Sequence, residues 1–474
     1  MPRNGPVPAS YAQQRLWFMY HAEAGSSAYH IPFAFRLGGD LNVPALESAL
    51  GEIVRRHETL RTVFSVSADQ VVQVVQPNAD WRLSLIDLTS FQASDQDALL
   101  AGTARSESLR TFDLAHGPLM RLRAFRLTSD EHAVLCQMHH LVSDGWSVGV
   151  LVREIVALYG AFSRGLPARL SEPAIQYADF AIWQRSWLRG EVFDKEIEYW
   201  RHQLNGVPPV SKLPYEGERP DRVSDLAGLK TVSLGRELSA RIGDLGHAQG
   251  ATLFMVLLAG FNTLLHHTTG ETDLVVGTDV ANRNRSETEN LIGFFINQLA
   301  IRVDLQGNPT LREILARVRK TTLNAFLHQD MPFDRLVEAL NPQRHPGLHP
   351  FFQVKFVLQN APVHQLEAPG LTLSALPGDT ETTKLDLQLN MWEEDASLEG
   401  ILLYKRELFD PGTMAGFLRQ LKHTLGLFAD DPDLSLDRVG DILRERDRQY
   451  REEQAAALRT SRIEKFKSLL GTPT

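Results

Sequence analysis

Two adjacent histidines, followed closely by an aspartate and a glycine, are the residues of this chain best suited to chemistry. Residues 139–145 read HHLVSDG and follow an apolar run, Ala133 to Met138, that predicts a strand. Side chains alternate between the two faces of a strand, so one of His139 and His140 can face a cleft. Histidine changes charge near neutral pH, so a cleft-facing ring could act as a base or as a hydrogen-bond partner.

The residues after the histidines predict a helix start and carry a competing motif. Asp144 can fix the turn, and Gly145 lets the backbone approach closely where a helix begins. Residues 145–149 (GWSVG) also fit the G-x-S-x-G elbow of hydrolases, which needs its serine on a sharp turn directly after a strand. Several residues separate the predicted strand from Ser147, which would lie in a first helical turn, where serine commonly caps. The hydrolase interpretation is therefore the weaker alternative.

A metal-binding interpretation has still less support. His140 and Asp144 have helical spacing, but the sequence has no H-E-x-x-H run and no clustered third ligand. It also has no glycine-rich phosphate loop. The sequence thus predicts no metal site and no bound cofactor.

Composition resembles that of ordinary globular proteins. The 474 residues include 49 basic and 58 acidic side chains, and the net charge of −9 disfavours nucleic-acid binding. The single cysteine, Cys136, lies in an apolar strand and excludes a disulfide framework within the chain. We find no run approaching ~20 apolar residues and no signal peptide at residues 1–6, so a cytoplasmic protein without membrane contact is predicted.

Helix and strand patterns alternate along both halves of the chain, which predicts a mixed α/β fold. Residues 1–9 are rich in proline and glycine and suggest a linker. The charged tail, 441–470, predicts a solvated or linker helix. Helices are predicted at 43–57, 145–162, 253–266, 309–326 and 414–428. Strands are predicted at 119–127, 133–138, 273–279, 352–358, 384–392 and 398–404.

Six segments, in order, resemble the motifs of condensation domains of nonribosomal peptide synthetases. HHLVSDG fits the HHxxxDG signature of that family. The other five read SYAQQRLW (10–17), RHETLRTVF (56–64), YADFAIW (177–183), IGFFIN (292–297) and HQDMPFD (328–334). A seventh motif is degraded, because Arg344 is present but Leu348 stands where a second arginine is usual. The resemblance spans about residues 8 to 436, and the chain is identified as a member of this family.

The resemblance implies an α/β fold with two chloramphenicol acetyltransferase-like lobes in a V-shaped pseudo-dimer around a central tunnel. Lobes at 10–175 and 176–440 would follow the linker at 1–9, and a helical tail would occupy 441–474. Donor and acceptor peptidyl carrier domains would deliver thioesters on phosphopantetheine arms, and the acceptor amine would attack the donor to form an amide. The family implies a monomer beside an adenylation domain, without a cofactor of its own; acyl-CoA is a possible donor for a starter-type domain.

The resemblance also implies roles for residues around the HHxxxDG run. His140 would face the amine, either as general base or by positioning it through a hydrogen bond, and the sequence leaves both open. Gly145 would place backbone N–H groups and the helix dipole near developing negative charge. His139 would be structural, and Asp144 would pair with Arg283 to hold the loop. Three further residues are candidates for the tunnel lining: Trp146, Ser147 and Asn297.

The donor subclass and two alternative functions stay open. Gln298 lies where many family members have threonine, and the donor could be an L-, D-, modified or fatty acyl group. A starter-type domain that N-acylates with a fatty acyl donor is one alternative. A non-catalytic domain that only recruits partners is another, although such domains usually lose the HHxxxDG run. Epimerisation domains differ after the glycine and heterocyclisation domains replace the first histidines with aspartates, so both are disfavoured.

Overall fold

The computed structural model describes residues 6–22, 26–77, 83–167, 169–208, 210–217, 219–220, 222–343, 345, 347–359, 366–368, 370–376 and 382–469. Residues 1–5 of the predicted linker, residues 470–474 of the tail and Arg344 of the degraded seventh motif lie outside these ranges.

Helices and strands alternate through the described residues, and the five helices and six strands predicted above, apart from the tail, are present with ends that agree within three residues. The strands are β1 (Val7–Pro8), β2 (His30–Gly38), β3 (Thr62–Ser67), β4 (Gln70–Val75), β5 (Ser84–Asp87), β6 (Met120–Arg126), β7 (Glu131–His139), β8 (Ala227–Ser233), β9 (Asp273–Val280), β10 (Asn297–Asp304), β11 (Val354–Gln359), β12 (Leu366–Ala368), β13 (Leu371–Leu376), β14 (Leu387–Glu394) and β15 (Ser397–Lys405). The helices are α1 (Tyr11–Ala22), α2 (Val43–Arg56), α3 (Ala93–Leu109), α4 (Gly145–Phe162), α5 (Tyr177–Trp187), α6 (Glu191–Leu204), α7 (Arg236–Ala248), α8 (Leu253–Thr269), α9 (Ser286–Glu289), α10 (Leu311–Leu327), α11 (Phe333–Leu340), α12 (Pro411–Asp430) and α13 (Leu436–Leu469).

The N-terminal sheet contains the strand that leads into the HHLVSDG run. Its order is β12-β13-β2-β7-β6-β5, so β7 is an interior strand. Cys136 and Met138 of β7 pack with α2 and α4, whereas Ala133 and Leu135 pack with α3 on the other face. Each fully buried aliphatic side chain contributes about 1.5–3 kcal/mol. Burial on both faces therefore fixes the position of β7 and of the turn that follows it.

The C-terminal sheet has its helices on one face. Its order is β10-β9-β11-β14-β15-β8. Phe356, Leu389 and Met391 are fully buried and belong to the core that these strands share with α7, α8, α10 and α12. Their strand neighbours Lys355 and Gln388 point to the opposite face and are part-exposed, as the alternation of a strand requires.

Residues 7–9 belong to the folded body, so the predicted linker is wrong from Val7 onward. Val7 and Pro8 pair antiparallel with Gln73 and Val72 of β4, and Ala9 is fully buried. β1 is the edge strand of a β1-β4-β3 sheet. An edge position accommodates proline, which has no N–H to donate to the ladder.

The β12–β13 hairpin departs from the predicted division at residues 175 and 176. It lies in the C-terminal half of the sequence, yet β13 pairs with β2, with Leu373 opposite Leu37. Leu371 and Leu373 are buried with α2 and α4. The N-terminal sheet is thus completed by a segment from the second half of the chain.

The tail is helical, as predicted, but its first turns are packed. Leu436, Val439 and Leu443 are buried against the C-terminal core. The side chains of residues 445–456 are mostly exposed. The solvated part of the tail therefore begins later than residue 441.

Helix α4 has the length and apolar composition of a membrane-spanning helix, although the sequence analysis found no such run. Helices α7 and α8 reach this length and composition only when they are taken together as one span, and the angle between them is 106°. Val150, Leu151 and Leu158 of α4 are almost fully buried in the core with α2. Core helices commonly have this composition, so packing within the protein explains the apolar character of α4.

Candidate active site

The HHLVSDG run connects β7 to α4 through one short turn. β7 ends at His139, and a 3₁₀ turn, His140–Val142, follows directly. Leu141 and Val142 are completely buried and anchor the turn. Asp144 then caps α4, because its side chain accepts a hydrogen bond from the Ser147 N–H at 2.8 Å. The strand, the buried turn and the capped helix together fix the direction of the His140 ring.

Among the residues that the structure describes, His140 has a hydrogen-bond partner at only one of its two ring nitrogens. Its Nδ1 lies 3.3 Å from the carbonyl oxygen of Ser143, which can only accept, so Nδ1 carries the proton. The neutral ring then has an unprotonated Nε2. Burial lowers the pKa of His140 below its ordinary value, against the opposing influence of Asp144. The part-exposed ring is therefore neutral at pH 7 and able to accept a proton or a hydrogen bond through Nε2.

His139 is enclosed and has a different environment. Its side chain is fully buried, with the ring of Tyr20 packed edge-on at 4.7 Å. Its Nδ1 accepts a hydrogen bond from the Leu141 N–H at 3.1 Å. Burial also lowers the pKa of His139 strongly. A neutral His139 thus supports the turn that carries His140.

Asp144 and Arg283 form a buried ion pair across the sequence. Arg283 Nη2 donates to Asp144 Oδ1 at 3.2 Å, and both side chains are at most 2% exposed. Asp144 Oδ2 accepts the Phe295 N–H at 3.0 Å, and Arg283 Nη1 donates to the carbonyl of Leu291 at 2.7 Å. The pair connects the start of α4 to the segment 283–295, which contains the IGFF residues of the fifth motif.

Ser147 is part of the same buried network, which contradicts its expected place in a tunnel lining. It has no exposed surface. Its Oγ lies 2.7 Å from Asp144 Oδ1 and accepts hydrogen bonds from the Gly293 N–H at 3.0 Å and from Arg283 Nη2 at 2.9 Å. Among the described residues, no histidine contacts it. The structure therefore gives Ser147 a structural role and removes the basis for the hydrolase interpretation.

Asn297 also has a structural role, because its side chain forms hydrogen bonds with the backbone of a neighbouring segment. Its Nδ2 donates to the carbonyls of Gln329 and Met331 at 2.8 and 2.7 Å, and its Oδ1 accepts the Phe333 N–H at 3.0 Å. It is 8% exposed. Asn297 holds the segment before α11, which corrects its assignment as a lining residue.

Gly145 and Trp146 lie at the accessible start of α4. Gly145 is exposed, and a Cβ added there would meet no atom within 4 Å. Trp146 is part-exposed, and its Nε1–H donates to the carbonyl of Glu289 at 2.8 Å. Open space therefore lies in front of Gly145, close to the first backbone N–H groups of the helix, which have no partners within the helix itself.

Asp279 and Lys355 influence the pKa of His140, and the sequence analysis identified neither residue. They form an ion pair, Nζ to Oδ2, of 2.8 Å. Asp279 raises and Lys355 lowers the pKa of His140, each less than burial does. Charged residues within the mainly apolar strands β9 and β11 were the available signal. No group of three or more potential metal ligands occurs among the described residues.

Comparison with protein families identifies the class. The family model for the condensation domain matches residues 3–450. The chain therefore belongs to the condensation domain family, and its relatives are nonribosomal peptide synthetases. It is 42% identical over 412 residues to malpinin synthetase of Mortierella alpina, covering 87% of this chain and 5% of that protein. It is 36% identical to phosphinothricin tripeptide synthetase PhsC of Streptomyces viridochromogenes, covering 95% of this chain and 42% of that protein.

Solved structures agree with this assignment. The X-domain from teicoplanin biosynthesis superposes with a TM-score of 0.82 at 30% identity, covering 92% of this chain and 98% of that one. The condensation domain of the polyketide synthase MokA superposes with a TM-score of 0.79 at 22% identity, covering 91% and 99%, and shows the fold alone. The predicted fold class, α/β with a chloramphenicol acetyltransferase-like architecture, is confirmed. The chain spans a small part of the length of the synthetases it matches.

Proposed function

We propose that this chain catalyses amide bond formation between two carrier-bound thioesters. Condensation domains of peptide synthetases are amide-forming enzymes of the acyltransferase type, and this chain has the HHxxxDG run of that family intact. The single observation that carries the proposal is the state of His140. Its Nδ1–H is bound to the Ser143 carbonyl, no described residue forms a hydrogen bond with its Nε2, and burial lowers its pKa. A neutral acceptor at that position is what an attacking amine requires.

The proposed reaction uses the Nε2 atom of His140 and the open space in front of Gly145. The acceptor amine attacks the donor thioester carbon, a C–N bond forms, and a proton from nitrogen passes to His140 Nε2 or is held there by a hydrogen bond. The tetrahedral oxyanion lies near the start of α4, where the dipole and the backbone N–H groups at Gly145 stabilise negative charge. The C–S bond then breaks, and the departing thiolate takes up the proton.

The partners in this proposal follow from the size of the relatives. Those synthetases are far longer than this chain, so carrier and adenylation domains are expected as neighbours. Donor and acceptor peptidyl carriers present their substrates on phosphopantetheine arms, and the chain itself holds no cofactor.

The direct test is detection of the condensed product. The 474-residue chain is mixed with a donor carrier and an acceptor carrier, each loaded chemically, and the acceptor carrier is followed by intact-mass spectrometry. A mass gain equal to the donor acyl group supports the proposal. The same two loaded carriers mixed without the 474-residue chain are the control for non-enzymatic transfer. Absence of product across aminoacyl, peptidyl and fatty acyl donors would refute the catalytic proposal.

The rate of amide formation should fall at low pH with the pKa of the acceptor amine and not with the pKa of His140. Burial keeps the pKa of His140 below 6.5, so the ring stays neutral while an α-amine, with an ordinary pKa of about 7.7–8.0, becomes protonated. Two acceptors whose amine pKa values differ by about one unit should show acid limbs displaced by about the same amount. Single-turnover rates measure this. A common acid limb near pH 6.5–7 for both acceptors would contradict a lowered His140 pKa.

Gly145 offers a steric test of the space in front of α4. Gly145→Ala should leave the midpoint of thermal unfolding unchanged, because a Cβ there meets no protein atom within 4 Å. Gly145→Leu should lower kcat/KM by about 10²-fold, because the larger side chain displaces substrate. Gly102→Leu is the matched control, since Gly102 is an exposed helical glycine with equally open surroundings. Equal activity of the two leucine variants would show that substrate does not pass Gly145.

Recruitment of a separate protein is the second candidate function. The teicoplanin X-domain, which resembles this chain at 30% identity, has been solved in a complex with the protein OxyB. A purely recruiting domain needs no free imidazole nitrogen, so the geometry of His140 favours catalysis. Correctly folded protein that forms no amide with any loaded carrier pair would favour recruitment.

A further inference from the structure

A row of polar side chains crosses the face of the C-terminal sheet that lies opposite its helices. We define this polar row as Gln298, Asp279, Lys355 and Gln388, one from each of the adjacent strands β10, β9, β11 and β14. Gln298 is the register partner of Asp279, and Lys355 is the register partner of Gln388. All four are part-exposed, whereas the alternate residues of these strands are buried under the helices.

The centre of the row is an ion pair with unused donor capacity. Lys355 Nζ donates to Asp279 Oδ2 at 2.8 Å, and Gln298 Nε2 donates to Asp279 Oδ1 at 3.3 Å. The Lys355 and Asp279 side chains are only 12% and 17% exposed. An ammonium group has three N–H donors, and Asp279 is its sole partner among the described residues. Lys355 can therefore donate to a further acceptor without losing its ion pair.

The row lies within electrostatic reach of the candidate active site. The ring of Phe294, four residues before Gln298, lies 5.6 Å from the ring of His140. Asp279 and Lys355 also act on the pKa of His140, in opposite directions. The same two charges act on His349, which lines a cavity of about 800 Å³ together with Arg15 and Asp334. A substrate that reaches His140 along this face would therefore contact the polar row.

We propose that the polar row binds the donor chain and selects a peptidyl group over an unsubstituted fatty acyl group, with Lys355 donating to a peptide carbonyl. This inference rests on the proposed function and deepens it, because it names the donor class. A hydrocarbon chain laid on Lys355 and Asp279 would remove water from an ion pair and return no hydrogen bond. A peptide supplies carbonyl acceptors and N–H donors at regular spacing, which restores the hydrogen bonds lost from water.

The length of the row also fits a peptidyl donor. Three strand spacings of about 4.8 Å separate β10 from β14, so the row extends about 14 Å. An extended chain covers about 3.3–3.6 Å per residue, so roughly four residues would lie along it. A single aminoacyl group would contact only one end. The geometry therefore favours the growing peptide, which is the donor, over the acceptor.

The test compares two unreactive donor analogues. One is a tripeptidyl thioether of pantetheine and the other an octyl thioether of pantetheine, and their dissociation constants are measured by titration calorimetry with the full chain. We expect the peptidyl analogue to bind about 10- to 100-fold more tightly, as one or two hydrogen bonds to a charged group would give. The double variant Lys355→Met with Asp279→Asn should reduce this ratio to within about threefold of unity, because both charges are removed together.

Two controls separate selectivity from folding. Lys355→Arg keeps the charge and the donors, so the ratio of the two dissociation constants should stay as in the wild type. Lys422→Met removes the charge of an exposed lysine of α12 and should not alter this ratio. A wild-type ratio near unity or in favour of the octyl analogue, or a ratio unchanged in the double variant, would overturn the inference. Because the analogues do not react, this outcome is independent of whether amide formation is observed, which tests the proposed function separately.

Discussion

His140→Ala should lower the rate of amide formation between two loaded carriers by about 10²–10⁴-fold, the usual contribution of a positioned proton acceptor. The free energy of unfolding should change little, because the ring is part-exposed and makes one hydrogen bond, to the Ser143 carbonyl. Single-turnover rates by intact-mass spectrometry and urea unfolding curves measure the two quantities. His247→Ala, at an exposed histidine of α7, is the matched control.

A second substitution separates the two roles that the sequence leaves open for His140. The asparagine side chain of His140→Asn can hold the amine by a hydrogen bond but cannot accept its proton at neutral pH. Recovery of most of the wild-type rate in this variant would indicate positioning, and a rate as low as that of His140→Ala would indicate general-base catalysis. Unchanged turnover in the alanine variant would show that another group serves the amine.

Arg283→Ala should lower the free energy of unfolding by about 3–5 kcal/mol, because it leaves the carboxylate of Asp144 buried without its cation. The carbonyls of Thr288 and Leu291 lose their donor in the same variant. Amide formation should also decrease, since Asp144 caps the helix that begins at Gly145. Urea unfolding, with the same carrier assay, measures both effects.

The neighbouring Arg285 provides the control for this prediction. Arg285 is exposed and stacks on the ring of Trp183, 4.3 Å from its centroid, so Arg285→Ala should cost less than about 1 kcal/mol. A double variant, Asp144→Asn with Arg283→Met, should be more stable than Arg283→Ala, because no charge is left unpaired. Equal stability of the Arg283→Ala and Arg285→Ala variants would mean that the ion pair does not hold the turn.

Local sequence patterns predicted part of the helices and strands. They missed several elements next to the site, among them β2 and α3. β2 contains a proline and an arginine among its apolar residues, and α3 spreads its few apolar residues without a clear helical period. β2 pairs with β7, and α3 packs on residues of β6 and β7. Their structure depends on tertiary partners more than on their own residues.

Side-chain direction was the main source of error within the site. Ser147 and Asn297 were expected to line a tunnel, yet each has its polar atoms occupied by the backbone of a distant segment. A motif gives the position of a residue along the chain. Whether that residue faces substrate or core depends on the exact turn of the helix or strand, which the neighbouring chain segments decide.

The sequence by itself determined the strand, turn and helix around HHLVSDG, the family and the mixed α/β class, because each depends on residue types that are close together or in fixed order. Only the tertiary structure decided which nitrogen of His140 is free, that β13 completes the N-terminal sheet, and that Gln298, Asp279, Lys355 and Gln388 form one row. The last two features join residues far apart in the chain, and the first depends on how the turn at His140–Val142 is folded. Their contacts follow from strand register and packing, which no local pattern encodes.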